Sequence, residues 1–257
     1  MDYSPGSASD GSRILALGSG GFNNHGIPFI SFLIGESVLV ETPPDIIQSL
    51  RRQGISPGSL ETVIISHFHG DHIFGLPFLI FNLYRAMPEG RDGKLLLAGP
   101  AGLKSRALEL MTLAIHERSS YIGWFERNVE VVEIHESAEI PLRGGRFLRF
   151  HRVIHQPENY AVSLWSGALR PDFIYISDTK WGPGVARLFS LGAGLVFCDA
   201  NGGVGDEDVH MSPAQIIGLG IPLTGGRTRV VASHLSDEDP GRYGGLELIS
   251  PGSVYEI

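Results

Sequence analysis

The sequence predicts a layered α/β fold, with helices packed outside two sheets. Two patterns carry that expectation: short strands broken by glycine and asparagine turns open the chain, and helices alternate with apolar strands through the rest. Size is consistent with it, since 257 residues with 42% hydrophobic and 19% charged content can bury a full core as one domain or a tightly fused pair. The expected organisation is a loose polar tail over 1–12 and one domain over 13–257, without repeats or low-complexity linkers.

Residues 13–17, 29–34 and 37–41 read as strands, the first two separated by the glycine- and asparagine-rich loop 18–24. After Pro43 and Pro44, the spacing of Ile46, Ile47 and Leu50 is helical and stops at Gly54, with proline at the start and glycine past the end. A buried strand over 62–66 and an apolar helix from Ile73 follow. The helix's apolar stretch, at about 12 residues, is too short to span a bilayer. Next come a strand over 94–98, a helix near 101–115, and strands near 128–134 and 146–154. Strands at 160–165, 173–177, 195–198 and 228–232 complete the alternation, with a short helix at 184–190.

The densest chemistry lies at the end of the 62–66 strand, where His67, Phe68, His69, Gly70, Asp71 and His72 place three imidazoles and a carboxylate within six residues. Folding needs no such density of ligands, so the segment reads as a metal site at the rim of a sheet. His67 and His69, two apart, can point one way from an extended segment, while Asp71 and His72 project to the neighbouring side. Two adjacent ions are the natural expectation. Imidazole and carboxylate without thiolate suit zinc, manganese or iron, and the sequence does not choose among them.

Composition narrows the partners. The formal charge is −8 with Lys and Arg scattered, so no basic stripe follows a long nucleic acid. A single cysteine, Cys198, rules out internal disulfides and a thiolate-rich zinc ribbon, and reads as a small core residue. The N-terminus lacks a signal-peptide layout, so a cytoplasmic protein without a membrane role is expected, with a homodimer left open.

The 67–72 segment resembles the His-x-His-x-Asp-His signature of the metallo-β-lactamase superfamily, and later segments resemble its other motifs in order along nearly the whole chain. The resemblance implies a four-layer αββα metallo-β-lactamase sandwich with the metals at one edge. It also implies that His155, at the end of the 146–154 strand, completes the first metal's set with His67 and His69. His151 is the local competitor for that role. Asp178, after the strand residues Phe173 to Ile176, resembles the carboxylate that bridges the two ions. His234, ending the strand residues Val230 to Ser233, then gives the second metal Asp71, His72, Asp178 and His234. So few protein ligands per ion leave open positions, the mark of a catalytic site.

The same resemblance bears on the reaction. His210 precedes Ser212, Pro213 and Gln215, which fit a helix capping box with proline in the first turn. Superfamily phosphodiesterases, including tRNA 3′-processing endonucleases and the cyclic-phosphate phosphodiesterase of phosphonate breakdown, carry a comparable histidine that protonates the leaving alkoxide or steadies phosphate. The helix end would lower the pKa of such an imidazole. Residues Glu41, Thr42 and Pro43 resemble the phosphonate-type enzymes, with Glu41 in place of the more usual aspartate that supports the metal loop. The implied chemistry is in-line attack on phosphorus by a water activated between two cations, with Asp71 orienting it.

The chain lacks a long Gly- and basic-rich insertion able to grip tRNA, so the expected substrate is a small or cyclic phosphodiester. The rival expectation is hydrolysis of a lactone, thioester or β-lactam at the same dinuclear site, for which Tyr160 or Tyr175 would supply a lactonase-like tyrosine. A relic metal site in a binding or sensor protein is the non-enzyme alternative. Smaller expectations are a turn at His25, a lid or surface connection over 117–123 flanked by His116 and Trp124, and a turn role for Asp199 and Asn201. His135 has no partner in view.

Overall fold

A computed structural model describes residues 13–115, 120–167, 169–203 and 209–257. The elements run β1 (Arg13–Gly18), β2 (Ser31–Ile34), β3 (Val38–Val40), α1 (Ile46–Arg52), β4 (Thr62–Ile64), α2 (Gly70–Ile73), α3 (Leu76–Ala86), β5 (Leu95–Gly99), α4 (Leu103–Ala114), α5 (Ser120–Asn128) and β6 (Val129–Glu133). The second half adds β7 (Glu139–Pro141), β8 (Phe147–Val153), β9 (Asn159–Trp165), β10 (Phe173–Ile176), α6 (Pro183–Ser190) and β11 (Leu195–Asp199). A helical segment follows, with α7 (Pro213–Gln215), a π turn over Ile216–Gly220 and α8 (Ile221–Leu223), and then β12 (Arg229–Ser233), β13 (Glu247–Leu248) and β14 (Val254–Glu256).

These strands form two seven-stranded sheets, in the orders β14-β1-β2-β3-β4-β5-β6 and β13-β12-β11-β10-β9-β8-β7. Each sheet is antiparallel on one side and parallel on the other, the parallel strands being β3 to β6 in the first and β10 to β13 in the second. The strand plan is therefore used twice, although the sequence shows no repeat.

Alternation along each strand sorts side chains into layers. In β4, Val63 joins the core beneath α1, α3, α4 and α5, while its neighbour Ile64 joins the core between the sheets. Between the sheets, Phe32 meets Phe173, Tyr175 and Phe197 edge-to-face at centroid distances of 5.5, 5.0 and 5.6 Å. Such pairs add roughly 0.5–1.5 kcal/mol each beyond area burial, so this cluster locks one sheet onto the other. Val185, Leu188 and Phe189 of α6 cover the outer face of the second sheet.

One expectation fails here. Of the 116–124 stretch, residues 116–119, including His116, lie outside the described residues. The rest is not a surface connection but the start of α5, whose Tyr121, Trp124 and Phe125 are buried. Trp124 Nε1 donates to the Met87 carbonyl at 2.7 Å, which makes it a core anchor rather than a substrate lid. The tail over 1–12 also lies outside the described residues. No helix among the described residues is long and apolar enough to cross a membrane.

Candidate metal centre

Every chemistry-bearing segment leaves the carboxyl end of a strand on the same rim, where the last backbone groups of a parallel sheet give way to loops. Past β4, His67 and His69 sit on an extended stretch, and the chain then turns into α2, which carries Asp71 and His72. His155 lies beyond β8, Asp178 beyond β10, Asp199 at the last position of β11, and His234 directly after β12.

The side chains converge as three groups, two of which hold the expected ligands while the third joins Asp199, His210 and His234. His67, His69, His155 and Asp178 place one donor atom each within 4.8 Å of one another, and so do Asp71, His72, Asp178 and His234. In the first, His69 Nδ1 lies 3.1 Å from His67 Nε2 and 3.2 Å from His155 Nε2. In the second, His234 Nε2 lies 3.1 Å from Asp71 Oδ2 and 3.3 Å from Asp178 Oδ2, while His72 Nε2 is 3.4 Å from Asp178 Oδ1. Asp178 belongs to both groups, with one carboxylate between them.

Buried contacts hold the donors in place. Ser66 Oγ sits 2.9 Å from His67 Nδ1 and accepts from Ser177 Oγ at 2.9 Å. Asn159, which stands where related phosphodiesterases often have glycine, donates to the Asp178 carbonyl at 2.6 Å. Glu41 accepts from the Ser66 amide at 3.2 Å and brings its other oxygen to 3.3 Å from His72 Nδ1. Thus Glu41 is no exposed strand-end charge: it is fully buried and reaches both halves of the metal-loop segment. Glu41 (φ 67°) and His234 (φ 58°) both occupy the left-handed region that non-glycine residues usually avoid.

The electrostatics separate the two groups. Burial, helped by His72, holds His67 well below the usual histidine range, and burial also lowers His69 and His155, so these imidazoles are neutral donors. At the second group burial acts against charge, but Asp178, Glu41 and Asp71 outweigh it and raise His72 well above its ordinary value. Asp178, Asp199 and Asp71 likewise push His234 up to about 10. Asp71 and Asp178 stay low despite burial because these histidines face them. Four buried carboxylates, Glu41, Asp71, Asp178 and Asp199, thus demand positive charge. Among the described residues, the buried His72 Nε2 and Asp178 Oδ1 make no hydrogen bond at all, which is costly for a site meant to be complete on its own. The donor set, the orphaned atoms and the negative charge fit divalent metal binding.

His210 stands beside this centre, its ring 5.9 Å from that of His155 and 5.1 Å from that of His234. The expected capping box follows it: Ser212 Oγ accepts from the Gln215 amide and Gln215 Oε1 accepts from the Ser212 amide. The expected lowering of its pKa does not hold. Burial acts in that direction, but a bond of 2.8 Å to Asp199 outweighs it and raises the imidazole.

Asp199 is the residue that sequence reasoning underrated. It does make the turn contact, accepting from the Asn201 amide at 3.0 Å, yet it is fully buried and also contacts His210, His234 and the Thr179 amide. The sequence offered only the apolar run Leu195 to Cys198 leading into Asp199; the in-register pairing of β10, β11 and β12 is what brings it to the same rim.

The remaining expectations divide. His151 turns away from the centre, with Nε2 2.8 Å from Ser163 Oγ, which leaves His155 as the histidine that meets His69. The Tyr160 hydroxyl is committed elsewhere, donating to Glu158 at 3.0 Å, while the Tyr175 hydroxyl is buried and makes no hydrogen bond among the described residues. The His25 amide donates to the Ser236 carbonyl at 2.8 Å, pinning its loop to the segment after His234. His135 Nδ1 meets only the adjacent Glu136 carbonyl, and Cys198 is a buried free thiol.

Comparison with known proteins adds three findings. The model of the Anti-Pycsar protein Apyc1 family matches residues 16–254. Ribonuclease Z of Ignicoccus hospitalis is 30% identical over 163 residues, which are 62% of this chain and 51% of that protein. The chain spans between 25% and 51% of the lengths of the first curated relatives it matches. Among solved structures, the metallo-β-lactamase fold protein YhfI from Bacillus subtilis superposes with a TM-score of 0.70 at 17% identity, covering 95% of this chain and 98% of that one. A diphosphatase from the PhnP family gives a TM-score of 0.68 at 19% identity, with 95% and 97% covered. At these identities the structural likeness establishes the fold, a four-layer αββα metallo-β-lactamase sandwich.

Proposed function

The chain belongs to the Anti-Pycsar protein Apyc1 family, and from that footing we propose that it is a metal-dependent hydrolase, a phosphodiesterase acting on a small or cyclic phosphodiester. The observation that carries the reading is Asp178, a single buried carboxylate shared by two groups of donor atoms, with His210 beside them. Relatives named ribonuclease Z and a structural neighbour named a diphosphatase support the phosphorus chemistry.

In this reading His67, His69, His155 and Asp178 hold one divalent ion and Asp71, His72, Asp178 and His234 a second, with zinc the first choice and manganese or iron the others. Bound there, such ions supply charge that polarises a phosphoryl oxygen and acidifies water. The chain's own residues do the rest. Asp71 is placed to orient the attacking water, since its Oδ2 already faces His234 and His72. His210 gives its proton to the departing oxygen. A cavity of about 630 Å³ lined by His155, Val209, Gln156, Arg152 and Lys180 adjoins the centre and offers room for the substrate's remaining groups. An acidic chain with scattered cations suits a small phosphodiester better than a long nucleic acid, because the ions rather than the surface neutralise the phosphate.

The test is turnover of a p-nitrophenyl phosphodiester and of ribose cyclic phosphates by metal-loaded protein. Hydrolysis that stops on chelation and returns with zinc supports the reading. Silence with all of them, or preferential cleavage of nitrocefin, an acyl-homoserine lactone or lactoylglutathione, overturns it.

A further inference from the structure

Asp199 is a buried carboxylate that the proposed metal sets leave unused, yet every one of its contacts leads back to the centre. Its Oδ2 accepts from the Thr179 amide at 3.0 Å and lies 2.8 Å from His210 Nδ1. Its Oδ1 accepts from the Asn201 amide at 3.0 Å and lies 3.5 Å from His234 Nδ1. Thr179 directly follows Asp178, so one side chain joins the loops after β10, β11 and β12 to the segment before α7.

An ionised carboxylate only accepts hydrogen bonds, so the His210 nitrogen bonded to it at 2.8 Å must carry the proton. That leaves Nε2 as the free atom of a ring only 18% exposed, whose neighbour Val209 lines the cavity shared with His155. We propose that Asp199 is the positioning residue for proton delivery to the leaving group, a buried carboxylate that fixes the tautomer of the substrate-side imidazole His210. The inference rests on the phosphodiesterase reading and deepens it.

Water's oxygen forms the new bond to phosphorus, and the old phosphorus–oxygen bond breaks with its electron pair going to the leaving oxygen. That oxygen takes the proton from His210 Nε2, while Nδ1–H stays on Asp199. The proton lost by the attacking water returns through solvent and recharges His210. An amide at position 199 would offer an N–H instead, favouring an imidazole without a proton on Nδ1, which is a poor acid held in the wrong form.

The test uses the zinc-loaded protein with Asp199→Asn, His210→Ala and the double variant, and compares a p-nitrophenyl phosphodiester, whose leaving group needs no proton, with a ribose cyclic phosphate, whose alkoxide does. With the cyclic substrate, Asp199→Asn should lower kcat about 10²-fold, within the range of lost general-acid catalysis, with KM nearly unchanged. The loss with the aryl substrate should be at least about tenfold smaller, zinc content should match the unsubstituted protein, and the double variant should be no slower than His210→Ala. Equal losses on both substrates, loss of zinc, or additive losses in the double variant would overturn the assignment. Nitrogen NMR of the imidazoles in the unsubstituted, zinc-loaded protein reads the tautomer without any variant or turnover: His210 should be protonated at Nδ1, and a bare Nδ1 rejects the proposal. If neither substrate is hydrolysed by the unsubstituted protein, the phosphodiesterase reading fails while the NMR result still judges Asp199.

Discussion

His151 offers a stability prediction that is independent of the metal centre. It lies 8% exposed on β8, with Nε2 2.8 Å from Ser163 Oγ, which itself receives the indole N–H of Trp165 at 2.8 Å. The hydroxyl hydrogen has two acceptors in reach, the Arg149 carbonyl at 3.3 Å and the neutral His151 ring, and a proton added to the ring removes the second. Burial, reinforced by Arg187 and Arg149 over the opposing pull of Glu136, pushes its pKa down to about 4. An unfolded histidine titrates near about 6.5. The folded value is depressed, so the unfolded chain binds the extra proton first. The stabilisation is fully present above about pH 6.5 and is lost as pH falls toward about 4. A gap of about 2.5 units at about 1.4 kcal/mol per unit caps the effect at about 3 kcal/mol, before any discount for residual solvent contact. Urea unfolding of the unsubstituted protein and His151→Gln across this range should give curves that converge at acid pH, because glutamine keeps an acceptor for Ser163 but cannot gain the proton. Curves that stay parallel would refute the reasoning. Zinc retention should be the same in both proteins, and a variant that loses zinc would show that His151, rather than His155, serves the centre.

Three further outcomes are expected. Glu41→Gln should weaken metal retention by about 10–100-fold without unfolding the chain, because the carboxylate opposite His72 Nδ1 and the Ser66 amide would lose its charge; competition with a chelator measures this, and unchanged retention counts against it. Gly21→Ala would place a methyl group 2.7–2.8 Å from the His234 ring, which Asp71, Asp178 and Asp199 hold in place, so the second metal group should loosen by about tenfold or more. Its check is metal stoichiometry at limiting zinc, where full occupancy would contradict the packing argument. Zinc at about 100 times its dissociation constant should stabilise the fold by about 2.7 kcal/mol, and thermal unfolding with and without chelator should show the midpoint fall when the ion is removed.

How far the fold could be read from sequence depended on whether its signals were local. Apolar runs such as 62–66 and 195–198, bounded by glycine and polar turns, marked most central strands because strands buried on both faces leave continuous hydrophobic stretches. The helix α5 was missed because Tyr121, Trp124 and Phe125 are set among polar residues, and their burial depends on α3 and on the Met87 carbonyl far away in sequence. β7 was missed because three residues carry too little alternation. The doubled strand plan was invisible for a different reason: it lies in which strands pair and in which direction, and strand pairing leaves no period in the chain.

The same distinction explains the site. His67, His69, Asp71 and His72 are legible because they are crowded together, whereas Asp199 is an isolated aspartate after a strand and does contact the Asn201 amide as a turn aspartate would. Only the register of β10, β11 and β12 brings it beside His210 and His234. The backbone at Glu41 and His234 was equally hidden, since no side-chain pattern announces a positive φ. Each of those conformations costs on the order of 1–2 kcal/mol, and each residue also buries a charge or a charge-bearing ring. Glycine or asparagine would suit both positions better if folding were the only demand. That two strained, enclosed side chains flank His72, Glu41 at 3.3 Å from its Nδ1 and His234 stacked on its ring, argues that these positions are fixed by what the rim must hold rather than by the stability of the sandwich beneath it.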